Sequence, residues 1–325
     1  MAGIAGARDF GDSGLPPDVR GTVVTVGTFD GVHRGHRDVL ERLTTLAASS
    51  GLRSVLVTFD PHPLEVVRPE KAPRLLTVGV EKLEVLVESG IDYLAILPFT
   101  AALQRYSAEQ YVERVLLDRF RMRHLLVGYN HGFGRDRTGT VATLRALGVR
   151  FGFSVDVVPA VAAADGHRIS STLIREAVAA GDLDRAADSL GRPYALSGRV
   201  GHGDARGRAL GFPTLNLELP TSRKLLPPDG VYAVRAQTPL GTFGGMMNLG
   251  GRPTFGDSRL SVEAHLFDTS IDVYEAHVRL DLVARLRETR AFPGPNALVA
   301  QLHIDAREAR HALASSRRSA VREPG

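Results

Sequence analysis

No cysteine occurs among the 325 residues. Disulfides, thiolate zinc sites and cysteine nucleophiles are thereby excluded, and a reducing cytosol suits such a chain. No stretch approaches the roughly 18 apolar residues of a membrane span. Asp9, Asp12 and Asp18 interrupt the N-terminus, which lacks an apolar core of signal-peptide length. A strong charge excess is missing too: 40 basic against 36 acidic residues leave +4. That small, dispersed excess suits anionic small ligands such as nucleotides. No basic run interleaved with aromatics marks a nucleic-acid track, and Arg317–Arg318 reads as part of a solvated tail. Internal repeats and low-complexity segments are absent. The expected protein is cytoplasmic, contacts neither nucleic acid nor membrane, and is a monomer or weak homo-oligomer.

What is present is an ordinary globular composition, 43% hydrophobic and 23% charged, long enough for two domains. Residues 1–20, rich in Gly, Ala, Asp and Pro, read as a flexible leader. Strand-like runs then alternate with helical ones. Thr22–Val26, Arg53–Phe59, Ile91–Pro98, His124–Gly128 and Ser154–Val158 predict strands. Arg37–Ala48, Val80–Glu88, Ala108–Phe120 and Thr140–Leu147 predict helices between them. The expected fold is a doubly wound, Rossmann-like α/β domain over 21–190, closed by helices Thr172–Ala180 and Leu183–Ser189. Near Gly191–Pro193 the pattern changes. Short runs at Ala195–Val200, Val231–Gln237, Phe243–Asn248, Val262–Phe267 and Val273–Leu282 predict a small antiparallel β-barrel or sandwich over 191–313. A terminal helix follows at Asn296–Leu313, then a disordered tail over 314–325.

The densest chemistry lies in Gly27-Thr28-Phe29-Asp30-Gly31-Val32-His33-Arg34-Gly35-His36, between the first strand and first helix. Glycines there permit positive φ and close approach of a ligand, and free N–H groups at a helix start favour phosphate. His33 and His36, three apart, share a helical face and could donate hydrogen bonds to a triphosphate. The plainer reading is that they cap the helix or bind a metal, but a histidine pair after a strand and inside a glycine-rich turn is a strong signal. A second segment, Ile169-Ser170-Ser171-Thr172-Leu173-Ile174-Arg175, reads as an N-capped helix start whose hydroxyls and guanidinium could face phosphate. In the second half, Gly201–Leu217 is glycine-rich without being a Walker A loop. It ends in Pro213-Thr214-Leu215-Asn216, whose hydroxyl and amide oxygens are hard ligands suited to Mg²⁺.

Together these segments resemble the bacterial bifunctional riboflavin kinase/FMN adenylyltransferase (FAD synthetase) family. His33–His36 resembles the HxGH signature of nucleotidyltransferases, and Ile169–Arg175 their ISSTxxR motif. Thr58–Pro63 and Gly128–Arg137 resemble further segments of the adenylyltransferase module. Pro213–Asn216 resembles the PTxN motif of riboflavin kinases, accompanied by Pro228–Val234, Asn248–Phe255 and Val262–Asp268. The resemblance runs from about Thr22 to Arg310.

It implies two reactions: riboflavin and ATP give FMN and ADP in the C-terminal module, then FMN and ATP give FAD and pyrophosphate in the N-terminal one. It implies catalytic roles for His33, His36 and Glu263. ATP and its phosphates would meet Gly27, Phe29, Asp30, Gly35, Ser170, Ser171, Thr172, Arg175, Gly207 and Gly211. Flavin would meet Asp60, Asn130, Arg287 and Phe292, and Mg²⁺ would be held by Thr214 and Asn216. Glu263 rests mainly on the resemblance, because a lone strand glutamate normally faces solvent and its neighbours Val262, Ala264 and Leu266 do not alternate cleanly with it. Two departures stand out: His131 where an aromatic residue is usual, and Glu275 where the family has glycine. A single working half, a flavin binder without turnover, and a transferase for another phosphate ester are the alternatives.

Overall fold

The computed structural model describes residues Gly3–Ile4, 15–129, 132, 134, 138–162, 166–202, 207, 210–252 and 257–320, with the backbone alone at 3–4, 251–252, 257–260 and 317–320. Packing divides the chain into two units, 1–74 with 82–170 and 75–81 with 171–325.

The first unit is built on a parallel sheet of six strands: β1 (Gly3–Ile4), β2 (Thr22–Val26), β3 (Arg53–Asp60), β4 (Tyr93–Pro98), β5 (Met122–Gly128) and β6 (Ser154–Val158). Their order is β1-β4-β3-β2-β5-β6. β2 is buried along its whole length, as a central strand covered on both faces must be. Helix α1 (Arg34–Ser49) lays Val39, Leu40, Leu43 and Ala47 on one face of the sheet, which is the 3.6-residue period expected of a half-buried helix. Short helix α2 (Pro63–Val67), α3 (Gly79–Val87), α4 (Ala101–Gln104), α5 (Ala108–Tyr111) with a π-turn over Val112–Leu117, and α6 (Val141–Phe151) follow. The strand order reverses at β2 and β5, so the loops leaving their carboxyl ends flank the crevice where such sheets bind ligands.

The second unit holds α7 (Ser171–Ala180) and α8 (Leu183–Leu190), then β7 (Tyr194–Gly201), β8 (Leu215–Glu218), β9 (Gly230–Thr238), β10 (Gly241–Arg252), β11 (Asp257–Leu266), β12 (His277–Arg287) and α9 (Pro295–Ala320). The strands close into a barrel in the order β10-β11-β8-β7-β12-β9. Ala306, Ala309 and Leu313 of α9 pack on Phe212, Ala233, Met246 and Phe267. No helix among the described residues is long and apolar enough to cross a membrane.

Five expectations change. The leader is not wholly loose: Leu15 and Val19 are buried in the core, and β1 pairs with β4. Helix α1 starts at Arg34 rather than Arg37, because His33 caps it. Helices α7 and α8 do not close the first unit. Their apolar faces, Ile174, Ala177 and Val178 with Leu183, Ala186 and Leu190, are counted with the second. The last strand begins at His277, since Val273–Ala276 forms a turn, and the terminal helix runs on past Leu313 to Ala320. Strand β8 was not expected at all.

Candidate functional site

In the first unit, the turn after β2 brings together Gly27, Phe29, Asp30, His33, Gly35 and His36. Its backbone is strained. Phe29 has φ 45°, Gly31 82° and the β-branched Val32 41°, a left-handed conformation that L-residues hold only when their surroundings enforce it. Packing supplies that enforcement: Phe29, Val32, Asp30 and His33 are all buried. A Cβ at Gly27 would come within 2.9 Å of the Phe29 ring, so glycine is what lets the ring fold back over the turn. The Phe29 ring lies 4.8 Å from that of His36, which stacks on His33 at 3.6 Å and 13°. Nδ1 of His33 accepts the backbone N–H of His36 at 3.2 Å and caps α1. Gly35 leaves room for this, since a Cβ there would stand 3.2 Å from the His33 ring. Two imidazoles thus sit at a helix N-terminus, where N–H groups and the helix dipole favour an anion.

Asp60 is exposed at the end of β3. Asn130 and His131 lie outside the described residues. Ser170 ends the first unit, and Ser171 and Thr172 open α7 in the second, with Arg175 one turn further on.

In the second unit, Asn216 on β8 stands directly opposite Glu263 on β11, and Glu263 directly opposite Asn248 on β10. Residues paired this way project from the same face with Cβ atoms about 5 Å apart. Val262, Ala264 and Leu266 are buried and alternate with Glu263 and His265. The clean alternation corrects the sequence reading. Glu263 shares its face with His265, whose cross-strand partner Met246 packs beneath α9. The Ser261 hydroxyl lies 3.0 Å from Glu263 Oε1 and 3.1 Å from the Gly250 carbonyl. Thr214 precedes β8, and the backbone beside it is pinned by His265, whose Nδ1 lies 2.8 Å from the Pro213 carbonyl. A Cβ at Gly207 would meet the Phe212 carbonyl at 2.3 Å and Thr214 Oγ1 at 3.4 Å. Gly211 has φ 82°. Both glycines are therefore required by the loop itself. Thr214 and Asn216 supply neutral oxygen ligands beside a carboxylate, a donor set that fits Mg²⁺.

Arg287 donates from Nε and Nη2 to buried Asp305 of α9, at 2.9 and 2.7 Å, and lies 5.7 Å from the Phe292 ring. Its visible role is to anchor α9 to β12. Asn248 opens a family-like segment in the sequence, but nothing there assigned it a place in the site. Its position opposite Glu263 comes from strand register.

The FAD synthetase family matches residues 15–173 and the riboflavin kinase family residues 190–313. A bifunctional riboflavin kinase/FMN adenylyltransferase of Pseudomonas fluorescens is 39% identical over 303 residues, 93% of this chain and 96% of that one. Its namesake in Bacillus subtilis is 34% identical, covering 89% and 91%. A solved structure titled a macrolide-efflux protein, from Streptococcus pneumoniae, superposes with TM-score 0.79 at 29% identity, over 93% of this chain and 97% of that one.

Proposed function

This chain belongs to the bifunctional riboflavin kinase/FMN adenylyltransferase family, and from that premise we propose which of its residues carry each reaction. It is an enzyme that makes FMN and ADP from riboflavin and ATP, and FAD and pyrophosphate from FMN and ATP. One observation carries the division of labour: the His33/His36 stack and the Glu263/Asn216 pair sit in separate compact units. We assign adenylyl transfer to the span 21–190, whose last two helices are grouped with the second unit, and phosphoryl transfer to 191–313.

In the kinase, Glu263 accepts the proton of the riboflavin 5′-hydroxyl as its oxygen bonds to the γ-phosphorus of ATP and the bond to ADP breaks. Thr214 and Asn216 would hold Mg²⁺, which when bound supplies charge neutralisation on the ATP phosphates. Gly207 and Gly211 let the backbone lie against the nucleotide.

In the adenylyltransferase, no side chain forms a covalent bond. An FMN phosphate oxygen attacks the α-phosphorus, and pyrophosphate leaves with the electron pair of the broken P–O bond. His33 and His36 donate hydrogen bonds to phosphate oxygens as charge grows on them, helped by the N-terminus of α1. Phe29 and Asp30 shape that turn. Ser170, Ser171, Thr172 and Arg175 are assigned to phosphate by their motif. Asp60 and Asn130 are assigned to flavin on the same ground, and Arg287 and Phe292 to flavin in the kinase. A cytosolic, monomeric or weakly associated enzyme completes the reading, and the absence of cysteine suits the reducing cytosol.

Purified protein given riboflavin, ATP and Mg²⁺ should show FMN rising and then giving way to FAD on chromatography. Glu263→Ala should abolish FMN formation and leave FMN-to-FAD conversion, and His36→Ala the reverse. Loss of both activities in either folded variant overturns the two-site assignment.

A further inference from the structure

Lys82 lies in none of the motifs. It sits on α3, and its Nζ donates to the Thr28 carbonyl at 2.7 Å and to Thr58 Oγ1 at 2.9 Å. The Thr58 hydroxyl donates in turn to the same carbonyl at 3.1 Å. This triangle ties α3 and β3 to the residue at which the strained turn begins. The Thr28 carbonyl belongs to the peptide plane that sets φ of Phe29, which is 45°. The Phe29 ring in turn lies against His36, and His36 against His33. A continuous path of contact therefore runs from Lys82 to the histidine pair.

We propose that Lys82 is a positioning residue for adenylyl transfer, acting through the Thr28 carbonyl to hold the Phe29–Val32 turn in the shape that seats His33 and His36. The proposal rests on reading the first unit as the adenylyltransferase. A lysine that served only solubility would keep its ammonium in water. Here burial, the largest influence, pushes the ammonium down to about 8, and the carboxylates of Asp30 and Asp60, the charged groups that face it, partly offset that push. An ammonium is the stronger donor to a carbonyl, so the hold on the turn weakens as pH rises through that value.

The test uses the full chain as wild type, Lys82→Met, Lys82→Arg and Thr58→Val. Each is assayed separately for FMN-to-FAD and riboflavin-to-FMN conversion between about pH 6.5 and 9.5, a window spanning the titration. FAD formation by the wild type should fall above about pH 8, with no matching fall in FMN formation. Lys82→Met should lower kcat for FAD formation about 10²-fold at neutral pH, the scale of a 1 Å misplacement. KM for FMN should change little and FMN formation not at all. Lys82→Arg should recover part of the rate and lose the falling limb, because a guanidinium stays charged throughout. Wild-type FAD formation by folded Lys82→Met overturns the proposal, as does an unmoved limb in Lys82→Arg. If Lys82→Met does not fold, Thr58→Val decides, since it removes only the hydroxyl at the centre of the triangle. A selective fall in FAD formation supports the proposal and an undiminished rate overturns it. Failure of the underlying reading looks different, because then the wild type itself makes no FAD from FMN.

Discussion

Glu275 stands where the family resemblance calls for glycine, and its φ of 64° shows that the turn has kept a glycine's conformation. The surroundings hold it there. Its N–H donates to the Val200 carbonyl at 2.9 Å, its carbonyl accepts from Arg199 Nε at 3.3 Å, and its carboxylate pairs with Arg199. The ion pair is exposed and contributes little, while a non-glycine residue in this region costs about 1–2 kcal/mol. Glu275→Gly should therefore raise the stability of the second unit, by about 0.5–1 kcal/mol after the extra unfolded-state entropy of glycine is counted. Chemical denaturation followed by a probe in the barrel measures it. Gly207 presents the opposite case. A Cβ there meets a backbone carbonyl rather than a flexible side chain, so the loop must move and carry Thr214 with it. Gly207→Ala should cut FMN formation at least tenfold, on the order of a misplaced ligand, and leave FMN-to-FAD conversion intact in a paired assay. Lys82 also leaves a thermodynamic signature. Folded, it titrates near 8 because burial disfavours its charge, and unfolded near 10.5. Between those values the unfolded chain binds the proton that the folded chain has released, so stability rises with pH. The first unit should gain up to about 3 kcal/mol as pH climbs through that window. Thermal melts should show the gain in wild type and lose it in Lys82→Met.

Elements were legible wherever their cause was local. The β-branched run of β2, the amphipathic period of α1 and the glycines of the turn between them could be read directly, because adjacent residues dictate them. Strand β8 is four residues long and buried in a glycine-rich stretch, too short for its alternation to stand out. β-Branched Val273 reads as strand in the sequence, whereas Asp272 and the left-handed Glu275 turn the chain before β12 begins. The row Asn216, Glu263 and Asn248 was invisible because register is a property of three strands at once. Lys82 looked like any helix lysine, since its acceptors lie 54 and 24 residues away in sequence. The same holds for the buried pair at the start of α3. Glu81 accepts from Lys224 Nζ at 2.7 and 2.8 Å, with both side chains almost wholly out of solvent. Burial raises the Glu81 carboxyl above its usual range despite the opposing pull of Lys224. Removing one partner of such a pair leaves an uncompensated buried charge. Lys224→Met should cost about 3–5 kcal/mol, read as a lowered unfolding midpoint of the second unit.

At the scale of the molecule, the sequence foresaw two domains, their classes and the reactions they perform, because each motif lies within a short stretch of chain. It did not foresee which segments pack together. Residues 75–81, from the first half, belong with 171–325. The bonds that place them there have a temporal side. Leu75 exchanges backbone hydrogen bonds with Arg223 and Leu225 on either side of Lys224, and the Leu76 carbonyl accepts from Lys224 across 148 residues of chain. Barrel closure likewise waits for β12 to reach β7. On a ribosome adding roughly 5–20 residues per second, Glu81 emerges some 7–30 s before its lysine. The parallel sheet can condense in that interval while the 75–81 segment idles beside it, so the nascent chain must hold a carboxylate in water that the finished protein hides. Synthesis order leaves that segment without its buried partners until residues 223–225 have been made.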